Sequence, residues 1–137
     1  AYGPDGSLVL EYLHRLTELF DYPYVLGEKT KVSPEAAQSF GEAARAIDAF
    51  STVIARNRSA AASPRAKSWE LLELHAQIFA ELARAFEARA RGDSQSAAQG
   101  WERTQAIIFE NHSLLHRALD AFNFTSVLGK YFRDRSA

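Results

Sequence analysis

The sequence predicts an all-α fold, an up-and-down antiparallel bundle of four main helices with a short C-terminal helical turn. Three observations carry that expectation. Apolar residues recur at three- and four-residue spacing in four separate stretches, the period that gives a helix one buried face. The four prolines all fall outside those stretches, where a missing N–H does least harm. The alternation of period two that marks a half-buried strand is absent throughout.

The first helix is read over residues 7–21. Val9, Tyr12, Leu13, Leu16, Leu19 and Phe20 form a stripe opposite Glu11, Arg15 and Glu18, as an amphipathic helix requires. "VSPEAA" announces the second: Ser33 caps the free amides, Pro34 suits the first helical position, and Glu35 favours the positive end of the dipole. Its stripe runs Ala36, Phe40, Ala44, Ile47, Phe50 or Ser51, and Ile54, and it is expected to fade near Asn57.

In "NRSAAASPRAK", Ser63 and Pro64 repeat the device and open a third helix. Its seam is Trp69, Leu72, Ala76, Phe79, Ala83, Phe86 and Ala90. A second apolar row, Leu71, Leu74, Ile78, Leu82 and Ala85, predicts contact with more than one neighbour. At "ARGDS", Gly92 closes that helix and Asp93 or Ser94 caps the next, so the two must lie antiparallel. The fourth helix is expected to carry Trp101, Gln105, Ile108, His112, Leu115, Leu119 and Phe122 on its seam, with Ile107 and Leu114 beside it. After Asn123, "FTSVLGKYF" predicts a last turn or two folded back over the bundle end.

A chain of 137 residues fits one domain with a true core. Cysteine is absent, which removes disulfides, thiolate metal sites and cysteine nucleophiles. The net charge of −1 gives no bulk field for nucleic acid or an anionic membrane, so neither partner is expected. No apolar run approaches the ~18 residues of a membrane span. Methionine is missing even at position 1, and the chain is expected to be part of a longer product.

No catalytic, metal or cofactor site is predicted. His112 and His116 stand four apart, a ligand spacing, but a zinc-protease helix needs Glu where Ser113 stands, and His112 falls on the expected core seam. Glu11 and His14 make one Glu-x-x-His pair, too few for a two-metal centre. "RGDS", Arg91 to Ser94, is explained by its duties at a helix–helix turn. N-x-S/T sequences occur at Asn57, Asn111 and Asn123, with Asn111 inside a predicted helix. Glu70, Glu73, Glu81 and Glu87 fall on a polar helix face, Glu87 placed to pair with Arg91.

The first stretch, "AYGPDGSLVLEYLHRLTELFDYPYVLGE", resembles the junction at which certain bacterial glycoside-hydrolase-like proteins pass from a (β/α)-barrel into a C-terminal helical domain. Tyr2, Gly3, Pro4, Tyr12, Leu13, Phe20, Asp21, Pro23 and Tyr24 carry the resemblance, which covers residues 1–28; beyond them the chain is similar only in being a helical bundle. The resemblance implies a non-catalytic accessory domain packed against a catalytic barrel and flanking its cleft, with the catalytic carboxylates in the barrel.

The segment "FDYPYVLGEK" then acquires two readings. Pro23 stops the first helix, Gly27 permits a reversal, and the rings of Phe20, Tyr22 and Tyr24 either cap the bundle's own core or face the barrel or a sugar. Tyr22 and Tyr24 are accordingly candidate contacts for carbohydrate or a partner. The alternative function is a free-standing interaction module that uses one helix groove or self-associates through an exposed Trp69 or Trp101 face.

Overall fold

The computed structural model describes residues 2–60 and 65–115. A 3-10 turn, Gly3–Asp5, leads into α1 (Gly6–Leu19); a four-residue helix, α2 (Tyr22–Val25), interrupts the connector to α3 (Pro34–Ala60). Then come α4 (Arg65–Ala90), α5 (Ser94–Glu110) and the short α6 (His112–Leu115), with no strand among the described residues. The all-α bundle predicted from periodicity is therefore the fold, with α1, α3, α4 and α5 as its four long helices.

Pair contacts give the directions. Ser33 N–H donates to Ala90 O at 2.9 Å, placing the start of α3 beside the end of α4, while Arg58 pairs with Glu73 at the far end. Those two helices are antiparallel. Along α1, Asp5 meets Arg56 and Asn57, Tyr12 stacks on Phe50, and Phe20 meets Phe40, so α1 also runs against α3. It runs with α4, since Tyr2 touches Trp69 and Phe20 touches Phe79. The turn Arg91–Asp93 reverses the chain into α5, which packs on α4; there Ala85 faces Gly100 so closely that a Cβ on Gly100 would stand 2.9 Å from it.

The two apolar rows of α4 explain its central place. Trp69, Leu72, Ala76, Ala83, Phe86 and Ala90 are buried in one row, and Leu74, Ile78, Leu82 and Ala85 in the other. A helix apolar on two faces is stable only between neighbours. Each large side chain so buried contributes ~1.5–3 kcal/mol, and Phe40 stacked on Phe86 with centroids 5.1 Å apart adds a directional contact.

The caps behave as local chemistry dictates. Ser33 Oγ accepts from Ala36 N–H at 3.2 Å and Asp93 Oδ1 from Ser96 N–H at 3.0 Å, satisfying amides the helices cannot. The hydrogen bond from Ser96 holds the Asp93 carboxyl below its ordinary value. The predicted opening of α4 by Ser63 and Pro64 lies outside the described residues. α3 runs on to Ala60, past the expected limit at Asn57, whose side chain bonds Asp5 and Val53 O and leaves the helix intact.

One expectation is corrected. The fourth helix does not continue unbroken to His112 and beyond: α5 stops at Glu110, and Asn111 Nδ2 donates to Ile107 O at 2.8 Å. Asn111 N–H still donates to Ile107 O at 3.2 Å, but its own backbone has left the helical region at φ −114° and ψ 22°. The break leaves His112 exposed, off the core seam, while Leu114 packs on the core. Leu119, Phe122, His116, Asn123 and the predicted C-terminal turn lie outside the described residues.

Candidate functional site

The chain between α1 and α3 is built from strong local signals. Phe20 leaves the helical region (φ −73°, ψ 115°) and ends α1. Asp21 then caps α2, its Oδ1 accepting from Tyr24 N–H at 3.1 Å, and Pro23 occupies an early helical position where it loses no bond. At the other end Gly27 takes φ 81°. Its N–H donates to Tyr24 O at 3.0 Å and the next N–H, from Glu28, to Pro23 O at 2.8 Å, the paired bonds of a Schellman cap. Lys29 Nζ returns to Asp21 Oδ2 at 2.7 Å and cross-braces the loop.

Tyr24 fixes this small helix to the bundle. It is 1% exposed, lies edge-on to Phe40 and Phe86, and its hydroxyl donates to Lys31 O at 2.6 Å while accepting from Arg89 Nη1 at 2.9 Å. Arg89, buried near the end of α4, is thereby held at the polar tip of the ring. A buried cation is tolerated only where acceptors are supplied, and Tyr24 supplies one from the connector.

With α2 pinned on that side, its opposite face turns outward. Tyr22 is 49% exposed, Leu26 70% and Val32 55%. Val32 stands where a hydrophobic staple would form with Ala37, but a single methyl cannot cover an isopropyl group. From Val32 a groove of about 420 Å³ runs between α3 and α4, lined also by Ala37, Gly41, Arg45, Glu87 and Arg91; Arg91 pairs with Glu87 at 2.8 Å, as the sequence spacing suggested. The connector thus leaves three apolar side chains exposed, and one of them, Val32, lines a partly charged groove.

Of the four candidate contacts read from the sequence, Tyr22 alone is exposed. Tyr24 is inside, its ring packed on Phe40 and Phe86 and its hydroxyl accepting from Arg89. Trp69 is 1% exposed and packs edge-on against Tyr2 at 5.2 Å, and Trp101 in α5 is 6% exposed. Neither indole forms an exposed face, so self-association through one has no surface to use. The structure does not bring the four together: Trp69 sits at the opposite end of α4 from Tyr24. Leu26 and Val32 were missed by sequence reasoning, although their positions flanking a C-cap glycine and an N-cap serine were available signals.

Elsewhere several ionisable groups form ion pairs or hydrogen bonds with one another. His14 bonds Glu18 at 3.0 Å, Arg84 spans Asp48 and Glu81, and Arg103 reaches Glu81 at 2.9 Å. Among the described residues no group of three or more His, Cys, Asp or Glu side chains is placed to hold a metal ion, and no helix is long and apolar enough to cross a membrane. Within the bundle, Tyr12 Oη and His75 Nδ1 are buried with no hydrogen-bond partner among the described residues, and burial pushes the His75 pKa down and the Tyr12 pKa up.

No protein-family model matches the chain, and comparison with curated proteins and with solved structures finds no match.

Proposed function

We propose that the chain is a non-catalytic helical accessory domain of a carbohydrate-active enzyme, seated against a catalytic barrel through Tyr22, Leu26 and Val32. One observation carries the docking reading: a connector braced by Asp21, Tyr24, Lys29 and Gly27 still leaves three large apolar side chains in water. Stiffness matters because a pre-ordered surface loses little further entropy on association. The resemblance of residues 1–28 supplies the partner, a barrel joined at the N-terminal side. Its catalytic carboxylates would do the chemistry, and the bundle would hold or flank the cleft. The exposed Tyr22 ring is also the one candidate of the four with a face to offer a sugar.

The test begins with the coding sequence that precedes Ala1. A barrel with paired acidic residues there supports the reading, and an unrelated protein or a stop codon removes it. In the intact protein, replacing Tyr22, Leu26 and Val32 together by serine should speed proteolysis between barrel and bundle while the bundle's own melting is unchanged.

A second reading, a free-standing interaction or self-association module, is favoured by the same exposed trio and differs only in its occupant. Sedimentation separates the two: a dimer of the isolated chain that the triple serine variant abolishes would favour the module.

A further inference from the structure

We propose that residues 2–19, the 3-10 turn together with α1, form a strap that lifts from the bundle as one unit while α3, α4 and α5 stay assembled. The polar ties between elements are unequal. α3 and α4 are joined by Arg58 with Glu73, by Arg84 with Asp48 at 3.1 Å and by Ser33 N–H donating to Ala90 O, and Arg103 with Glu81 at 2.9 Å joins α5 to α4. Within Gly6–Leu19, by contrast, Thr17 Oγ1 donates to Leu13 O and His14 pairs with Glu18, both inside the helix. Among the described residues no side chain of α1 hydrogen-bonds or ion-pairs with another element.

The middle of α1 opposes its own docking. Tyr12 is 5% exposed, its ring lies 4.2 Å from that of Phe50, and its Oη is buried with no hydrogen-bond partner among the described residues. A hydroxyl left in that state recovers a partner in water only when the helix lifts. Apolar contacts of Val9, Leu16 and Leu19 hold α1 down against this penalty. In the turn before it, Asp5 accepts from Arg56 Nη2 at 2.8 Å and Asn57 Nδ2 at 2.6 Å, but the Arg56 side chain is 60% exposed, and an ion pair so open to water contributes little. The connector is seated separately, through Tyr24, so Phe20 with its extended backbone gives the strap a fixed hinge. An element with these weak ties is the one expected to open first, uncovering Phe50 as it goes. The device holds whichever partner the Tyr22 surface meets.

Native-state hydrogen exchange of the full chain in sub-denaturing guanidinium tests this. After correction for intrinsic rates, amides from Tyr12 to Leu16 should exchange at least about ten-fold faster than those from Phe79 to Ala83 in α4. They should share one denaturant slope, above zero and shallower than that of α4, because lifting a strap exposes less surface than unfolding the bundle. Tyr12→Phe keeps the ring and deletes the hydroxyl, and should slow α1 exchange at least about five-fold. A single rate and slope for both helices would overturn the proposal, since α1 would then open only with the whole bundle. So would α1 exchange that ignores denaturant, the mark of residue-by-residue fraying, or a Tyr12→Phe chain whose α1 exchanges as fast as the parent's or faster.

Discussion

The connector between α1 and α3 and the turn between α4 and α5 end their helices by the same device. Gly27 and Gly92 both take positive φ, at 81° and 88°, and in both places two successive N–H groups bond carbonyls of the closing turn. Yet Arg91–Asp93 reverses the chain directly, with Arg91 paired to Glu87 and Asp93 capping α5, whereas residues 20–33 insert an extra helix. The comparison shows how little chain a reversal needs. What the connector adds beyond reversal is Tyr24 directed inward and Tyr22, Leu26 and Val32 directed outward, and these additions require a separate reason.

The largest expected effect breaks the inward half. Tyr24→Ala removes a fully buried ring together with the hydroxyl that accepts from Arg89, and should lower unfolding free energy by about 3–5 kcal/mol in urea titration. Tyr24→Phe keeps the ring and loses only the hydroxyl bonds to Lys31 O and from Arg89, for about 1–3 kcal/mol. If both variants melt like the parent, Tyr24 is no anchor.

Next come the shared glycines. Alanine at Gly92 or Gly27 must adopt left-handed backbone, which costs about 1–2 kcal/mol. No crowding adds to this at Gly92, where the nearest atom to a new Cβ would be Val32 Cγ2 at an ordinary 3.5 Å. Equal losses at the two sites would show that the connector is as firmly built as the turn; a negligible loss at Gly27 alone would show that it is not.

A third prediction separates the bundle's middle from both connections. Burial holds the folded-state pKa of His75 below its ordinary 6.5, so the unfolded chain takes up the proton first as pH falls. Stability from this group is full above about pH 6.5 and declines as the pH drops below it. Denaturation midpoints at pH 7.5 and 5.5 should therefore differ more for the parent than for His75→Phe, with connector variants retaining the parent's pH dependence.

The smallest effect belongs to the outward half. Serine at Tyr22, Leu26 or Val32 should change stability by no more than about 0.5 kcal/mol each, as for surface substitutions generally. A loss of several kcal/mol would make the patch part of the core and remove it as a docking surface.

The legible parts of this molecule were those decided within a few residues. Ser33 with Pro34 and Gly92 with Asp93 marked helix ends because capping is local chemistry, and the double row on α4 marked a helix with neighbours on two sides. Asn111 misled because apolar spacing ran through it from Ile108 to Leu115, while the departure of its backbone from the helical region leaves no trace in periodicity. The opposite fates of Tyr22 and Tyr24 were not legible either: they are two residues apart on a single helical turn, and the choice between them is made by Arg89, a partner 65 residues away. Trp69 and Trp101 stood on the apolar seams of their helices and were candidates for an exposed face only in the alternative reading; the structure buries both.

Hydroxyl-radical footprinting of the isolated chain, read by mass spectrometry at single residues, puts the division of the connector to the most direct test. Tyr22 and Leu26 should be oxidised at rates expected of open surface while Tyr24 stays protected until the bundle unfolds. Equal reactivity of Tyr22 and Tyr24 in the folded chain, or protection of both, would contradict the claim that one tyrosine holds the connector down and the other is left for a partner.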